Sequence, residues 1–123
     1  MGNSTSSDKR VSDINAESAR PRVIVAEDEA LIRLDLVELL EDQGYEVVAQ
    51  ASDGEEAVSL ARELEPDLVV MAATRDTTFR RSLDELRDLA RSYRLLIGGR
   101  GATETICADL GARTIREEID AMR

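Results

Sequence analysis

The chain has 123 residues, enough for one domain with its own core and too few for two. It carries 26 acidic against 16 basic residues, a net charge of -10, which speaks against nucleic acid and against an anionic membrane as partners. Histidine is absent, so an imidazole base, a His metal ligand and a His axial ligand are all excluded.

The single Cys107 permits no disulfide framework, and no segment reads as a signal peptide or a membrane span, so a cytoplasmic protein is expected. Aromatic residues are limited to Phe79, Tyr45 and Tyr93, which leaves no stacking platform for bases or flat cofactors.

Residues 1–20 are rich in Ser, Asp and Asn and read as a flexible leader, with a short helix within Val11 to Ala19. Pro21 closes the leader. Arg22 to Ala26 is a β-branched apolar run, the pattern of a strand buried on both faces. It ends abruptly in Glu27, Asp28 and Glu29. Carboxylates at a strand's carboxyl end suggest a cation or phosphate-chemistry site in an open α/β sheet. The plainer alternative is that Asp28 caps the next helix while Glu27 and Glu29 favour its positive end.

A first helix is expected from Ala30 to Gln43, with Ile32, Leu36, Leu39 and Leu40 as its inward stripe and Gly44 as its stop. Glu46 to Gln50 follows as a second strand. Ser52 and Asp53 before Glu55 and Glu56 form a capping-box pattern that opens a helix to Leu64, with Ala57, Val58, Ala61 and Leu64 facing inward. Pro66 introduces a third strand, Asp67 to Ala72.

Ala73 to Thr78 is polar and turn-like and rises into a third helix ending near Ser92, with a stripe of Leu83, Leu86, Leu89 and Ala90. Ser82 and Glu85 offer a second capping box, so that helix could start as late as Leu83. Arg94 to Ile97 is a fourth strand running into Gly98, Gly99, Arg100 and Gly101. Thr103 to Leu110 is a short helix stopped by Gly111, Ala112 to Arg116 a fifth strand, and Glu117 to Arg123 a last helix of about two turns.

Strand and helix alternate with short connections. This predicts an α/β, flavodoxin-like three-layer sandwich over residues 21–123, with five parallel strands in the order 2-1-3-4-5. The acidic loop then lies at the switch point of the sheet. The last helix is short, leaving one sheet face thinly covered, and Val11, Ile14 and Ala19 of the leader or a second copy of the chain are the candidates to cover it.

From Pro21 to Met71 the segments VIVAEDEALI, GYEVVAQASDGEEAV and EPDLVVM closely resemble the receiver domain of two-component response regulators. The resemblance implies an acidic pair for Mg²⁺ at Glu27 and Asp28, and a phosphoacceptor Asp where Ala72 stands. It also implies a hydroxyl residue where Gly98 stands, and a Lys after the fifth strand that is missing from GARTIREE. Asp76 lies too far along the chain to inherit the phosphoacceptor role without a rearranged loop.

From Ala72 to Met122 the pattern LxxLRxLA, GGRGA and LGA is similar to the carboxyl-terminal half of corrinoid (vitamin B12) binding domains. In that family the glycines let the cofactor's nucleotide tail approach the backbone, so Gly98, Gly99, Arg100 and Gly101 form the implied ligand loop. The residues alone equally permit a tight turn. The cobalt-ligating His of that family has no counterpart in this chain.

The change of resemblance falls at Met71 to Thr74, in a strand both families share. The chain is therefore read as a fold chimera, receiver-like over 21–71 and corrinoid-domain-like over 72–123, whether assembled from fragments or recombined in nature. No catalytic residue set, no cobalamin and only weak Mg²⁺ binding at Glu27 and Asp28 are expected of it. The alternatives are a natural pseudo-receiver that binds a signalling partner without phosphorylation, and a small corrinoid or nucleotide binder; a homodimer is compatible with each.

Overall fold

The computed structural model describes residues 20–121, and the leader, with its expected helix at Val11 to Ala19, lies outside them. Five strands, β1 (Arg22–Ala26), β2 (Glu46–Ala51), β3 (Leu68–Ala72), β4 (Arg94–Gly98) and β5 (Arg113–Thr114), form one sheet in the order β2-β1-β3-β4-β5. Every pairing is parallel. Six helices connect and follow them: α1 (Ala30–Asp42), α2 (Gly54–Leu64), α3 (Asp76–Arg81), α4 (Leu83–Ser92), α5 (Glu104–Leu110) and α6 (Ile115–Ala121). This is the flavodoxin-like sandwich the alternation of elements predicts.

Because side chains alternate along a strand, the sheet feeds two cores. Ile24, Ala26, Val69, Met71 and Ile97 point to the face covered by α2, α3, α4 and α5, where they meet Ala57, Phe79, Leu86 and Ile106. Val23, Val25, Leu68, Val70 and Leu96 point to the face covered by α1 and α6, against Leu36, Val37, Leu40 and Ile115. Each large aliphatic side chain removed from water here contributes about 1.5–3 kcal/mol.

The two halves share these cores. Beyond the β1–β3 pairing, the Tyr93 hydroxyl at the end of α4 donates to the Ala61 carbonyl of α2 at 3.0 Å. A Cβ added at Gly54, the first residue of α2, would stand 2.9 Å from the Cβ of Ser82.

One difference from expectation lies at that residue. The single third helix is two, α3 and α4, broken at Ser82, whose side chain makes no cap hydrogen bond with α4. The second difference is at β5, where the strand stops after two residues. Thr114 accepts from the Glu117 amide at 3.0 Å, and the Glu117 carboxylate accepts from the Thr114 amide at 2.8 Å. This reciprocal capping box starts α6 at Ile115, two residues before the expected start.

The third difference is on α1, where Val37 is buried and Leu39, assigned to the inward stripe, is 41% exposed. α1 and α6 stand apart over the sheet, and among the described residues none reaches across to cover it. Among the described residues no helix is long and apolar enough to cross a membrane.

Candidate functional site

The carboxyl ends of β1 and β3 lie side by side, and the residues read as a site from the sequence fall at or near that edge. Ala26 pairs with Met71, which sets Glu27 beside Ala72. The two acids of the pair behave differently. Glu27 is 2% exposed, its backbone amide extends the β1–β2 ladder to Ala51 at 3.0 Å, and its side chain turns inward. One carboxylate oxygen accepts from the Glu29 amide at 3.0 Å; the other is buried without a hydrogen-bond partner among the described residues.

Burial therefore pushes the Glu27 carboxyl up from 4.5 to about 6, with the adjacent Asp28 carboxyl acting in the same direction and the Glu29 amide opposing it. Arg33 holds the loop by donating to the Glu27 carbonyl at 2.6 Å and to the Gln50 side chain at 3.2 Å.

Asp28 is exposed. It does not cap α1, whose N-cap is Glu29 with no side-chain cap bond. Instead it lines a cleft of about 210 Å³ with Ser52, Asp53, Ala72, Thr78 and Arg81. Asp53 is engaged as the cap of α2, accepting the Glu56 amide at 2.8 Å, while Glu56 reaches back to the Ser52 amide and hydroxyl. That is the predicted capping box, with Asp53 as the cap residue.

At the end of β3 the methyl group of Ala72 occupies the position where the receiver resemblance calls for a carboxylate. Among the described residues no cluster of three acidic, Cys or His side chains could hold a metal ion. Glu27 turns inward, while Asp28 lines the cleft alongside Asp53.

The glycine loop follows β4. Gly99 has φ +84°, and a Cβ there would collide with the Ala73 carbonyl; a Cβ on Gly101 would collide with the Arg75 backbone. The Gly101 amide donates to the Ala73 carbonyl at 2.9 Å, and the Ala73 amide to the Gly98 carbonyl at 3.1 Å. These glycines let the β4–α5 loop lie against the β3–α3 loop, so the backbone they approach is the chain's own. Arg100 is exposed and lines a groove of about 870 Å³ between α1 and α6.

Sequence reasoning overlooked two features. Phe79, fully buried under α3, plugs the core at this edge, and the α1–α6 groove shares its floor residue Ala72 with the cleft. The Thr114–Glu117 spacing was the available signal for the short β5 and hence for the position of α6.

The fold and the position of the acidic loop define a receiver-like flavodoxin domain. Residues 23–74 match the family model of the response regulator receiver domain. Over 58 residues the chain is 59% identical to transcriptional regulatory protein PdtaR of Mycobacterium tuberculosis (strain ATCC 25618 / H37Rv), covering 46% of this chain and 28% of that protein. The chain therefore matches little more than a quarter of that regulator's length.

Among solved structures, a LuxR-family two-component response regulator from Aurantimonas sp. SI85-9A1 superposes with a TM-score of 0.62 at 27% identity over 85% of each chain. A cobalamin-binding protein from Desulfitobacterium hafniense DCB-2 superposes with a TM-score of 0.59 at 21% identity, over 76% of this chain and 51% of that one, a likeness of fold alone. Residues 23–74 are thus similar to response-regulator receiver sequence, and the family match ends at residue 74.

Proposed function

We propose that this domain is a non-catalytic pseudo-receiver: a receiver-type scaffold that takes no phosphoryl group and acts in signalling by binding a partner protein. The observation that carries the reading is Ala72, a buried methyl group at the end of β3 where a receiver needs its nucleophilic carboxylate. Gly98 in place of a hydroxyl and the absence of a Lys after β5 support it.

The exposed side of α1 supports the interaction role. Leu31 is 78% and Leu34 51% exposed on a helix whose Asp35, Glu38, Glu41 and Asp42 form no ion pair with another described residue. A second copy of the chain is the competing occupant of that surface, and size-exclusion chromatography with light scattering distinguishes the two.

The origin we propose is a fold chimera, with the receiver-like half ending in β3 and a corrinoid-domain-like half beginning there. The family match ending at residue 74 and the fold shared with a cobalamin-binding protein support it. Cobalamin is no part of the proposal, since no His is present to ligate cobalt. Mg²⁺ binding at Glu27 and Asp28 is weak on this reading, because a hard cation wants more oxygen donors than this pair supplies.

The test is incubation with Mg²⁺ and acetyl phosphate followed by intact-mass measurement. The unmodified mass is expected; a stoichiometric phosphoryl adduct would sink the pseudo-receiver reading and point to another carboxylate, Asp76 or Asp28, as acceptor.

A further inference from the structure

The groove between α1 and α6 has an apolar floor and a cationic end. Its floor is Leu36, Ala72 and Ile115, and its walls are Ile32 and Leu39 from α1 and Ile119 from α6. The described part of α6 is seven residues long and stands away from α1, which leaves the groove between them. At about 870 Å³ it lies in the size range of small-molecule sites.

The distribution of arginines marks one end of it. The other arginines of the described chain face carboxylates or donate to backbone carbonyls. Arg75, Arg81, Arg100 and Arg116 do neither with another described residue, and all four stand at the carboxyl edge of the sheet. Two of them, Arg100 after β4 and Arg116 in the first turn of α6, line the groove itself.

The groove's acids lie deeper. α1 and α6 both run away from the carboxyl edge, so Asp35 sits about one turn below the start of α1, and Asp120 about one turn below Arg116. The mouth is cationic, the walls below it are mainly apolar, and in a chain of net charge -10 those two guanidinium groups have no ion-pair partner among the described residues.

We propose that this groove binds a single-chain amphiphilic anion, with its carboxylate or phosphate head against Arg100 and Arg116 and its aliphatic chain along Ile32, Leu36, Leu39 and Ile119. Arginine suits such a head because its planar fork meets two anionic oxygens at once. The seven-residue step from Ile32 to Leu39 spans about 10 Å of helix, room for a chain of about eight carbons. The inference is independent of the absence of phosphotransfer, since no covalent step is involved.

The test is titration of the full ¹⁵N-labelled chain with monooctyl phosphate, with 1-octanol and inorganic phosphate as separate arms. Monooctyl phosphate should shift the amides of Ile32, Leu39, Arg100 and Ile119 saturably, at a concentration at least tenfold below either other probe. Arg100→Gln with Arg116→Gln should raise its midpoint at least tenfold and leave that of octanol unchanged.

Equal midpoints for octanol and monooctyl phosphate would overturn the proposal in favour of a plain apolar groove. Inorganic phosphate matching monooctyl phosphate would reduce it to an adventitious ion only. No shift in the groove, as when residues 1–19 or a second copy fill it, would also overturn it.

Discussion

Glu27 takes the Glu29 amide with one carboxylate oxygen at 3.0 Å and leaves the other buried without a hydrogen-bond partner among the described residues. The folded state therefore favours the neutral form of this side chain, which moves its titration to about 6. A carboxyl whose folded pKa is raised gives a stability contribution that is complete below about 4.5 and is lost as pH rises through about 6. The shift corresponds to at most about 2 kcal/mol. Glu27→Gln keeps an acceptor for the Glu29 amide and removes the buried charge. Urea unfolding should show this variant about 1–2 kcal/mol more stable than the parent at pH 8 and little different at pH 4.

Ala72→Asp restores a third carboxylate beside Glu27 and Asp28. At neutral pH it buries a charge among like charges, so the variant should lose about 1–3 kcal/mol. A divalent cation bridging the acids reverses part of that loss. Thermal melts with and without 10 mM (about a hundredfold excess) Mg²⁺ should therefore show a larger rise in Tm for the variant than for the parent.

Glu118 holds α6 to the sheet. Its carboxylate, 12% exposed, lies 2.6 Å from an Arg94 nitrogen and 3.4 Å from one of Arg113, and its hydrogen bond with Arg94, helped by its charge, raises the pKa of that guanidinium. Glu118→Ala should cost about 1–2 kcal/mol, tempered by the exposure of both arginines. Hydrogen exchange should speed up across Ile115–Ala121 and leave β1 and β3 protected.

Glu65 caps α2 in the left-handed region, with φ 48° and ψ 65°. Arg22 donates to the Leu64 and Glu65 carbonyls at 2.8 and 3.1 Å, and both bonds use backbone acceptors that survive substitution. Glu65→Gly should stabilise the fold by about 0.5–1 kcal/mol, read as a higher urea midpoint with an unchanged slope.

The sheet order was legible in the sequence because β1 and β3 are continuous apolar runs buried on both faces, as the central strands of a parallel sheet are. The acidic loop was legible for the same reason, since its charges interrupt such a run. The break at Ser82 was legible in part, since the Ser82 and Glu85 spacing allowed a helix starting at Leu83, although the Ser82 side chain makes no cap bond there.

Leu39 fits a helical stripe yet remains exposed, because whether a stripe is buried depends on what stands opposite. The glycines after β4 suggested ligand approach or a tight turn on equal terms. What separates them is the position of the Ala73 and Arg75 backbones, which lie on the preceding strand-to-helix loop, beyond the reach of any local spacing rule.

The most direct measurement of the pseudo-receiver claim is a ¹H–¹⁵N spectrum recorded with Mg²⁺ and beryllofluoride, which mimics a phosphoryl group on an aspartate. The account predicts shifts confined to the loop after Ala26, with β4, α5 and β5 unmoved. Saturable shifts spreading from Ala72 through Gly98 to α6 would contradict it, since they would require an acceptor carboxylate and a coupled response that the pseudo-receiver reading denies to this site.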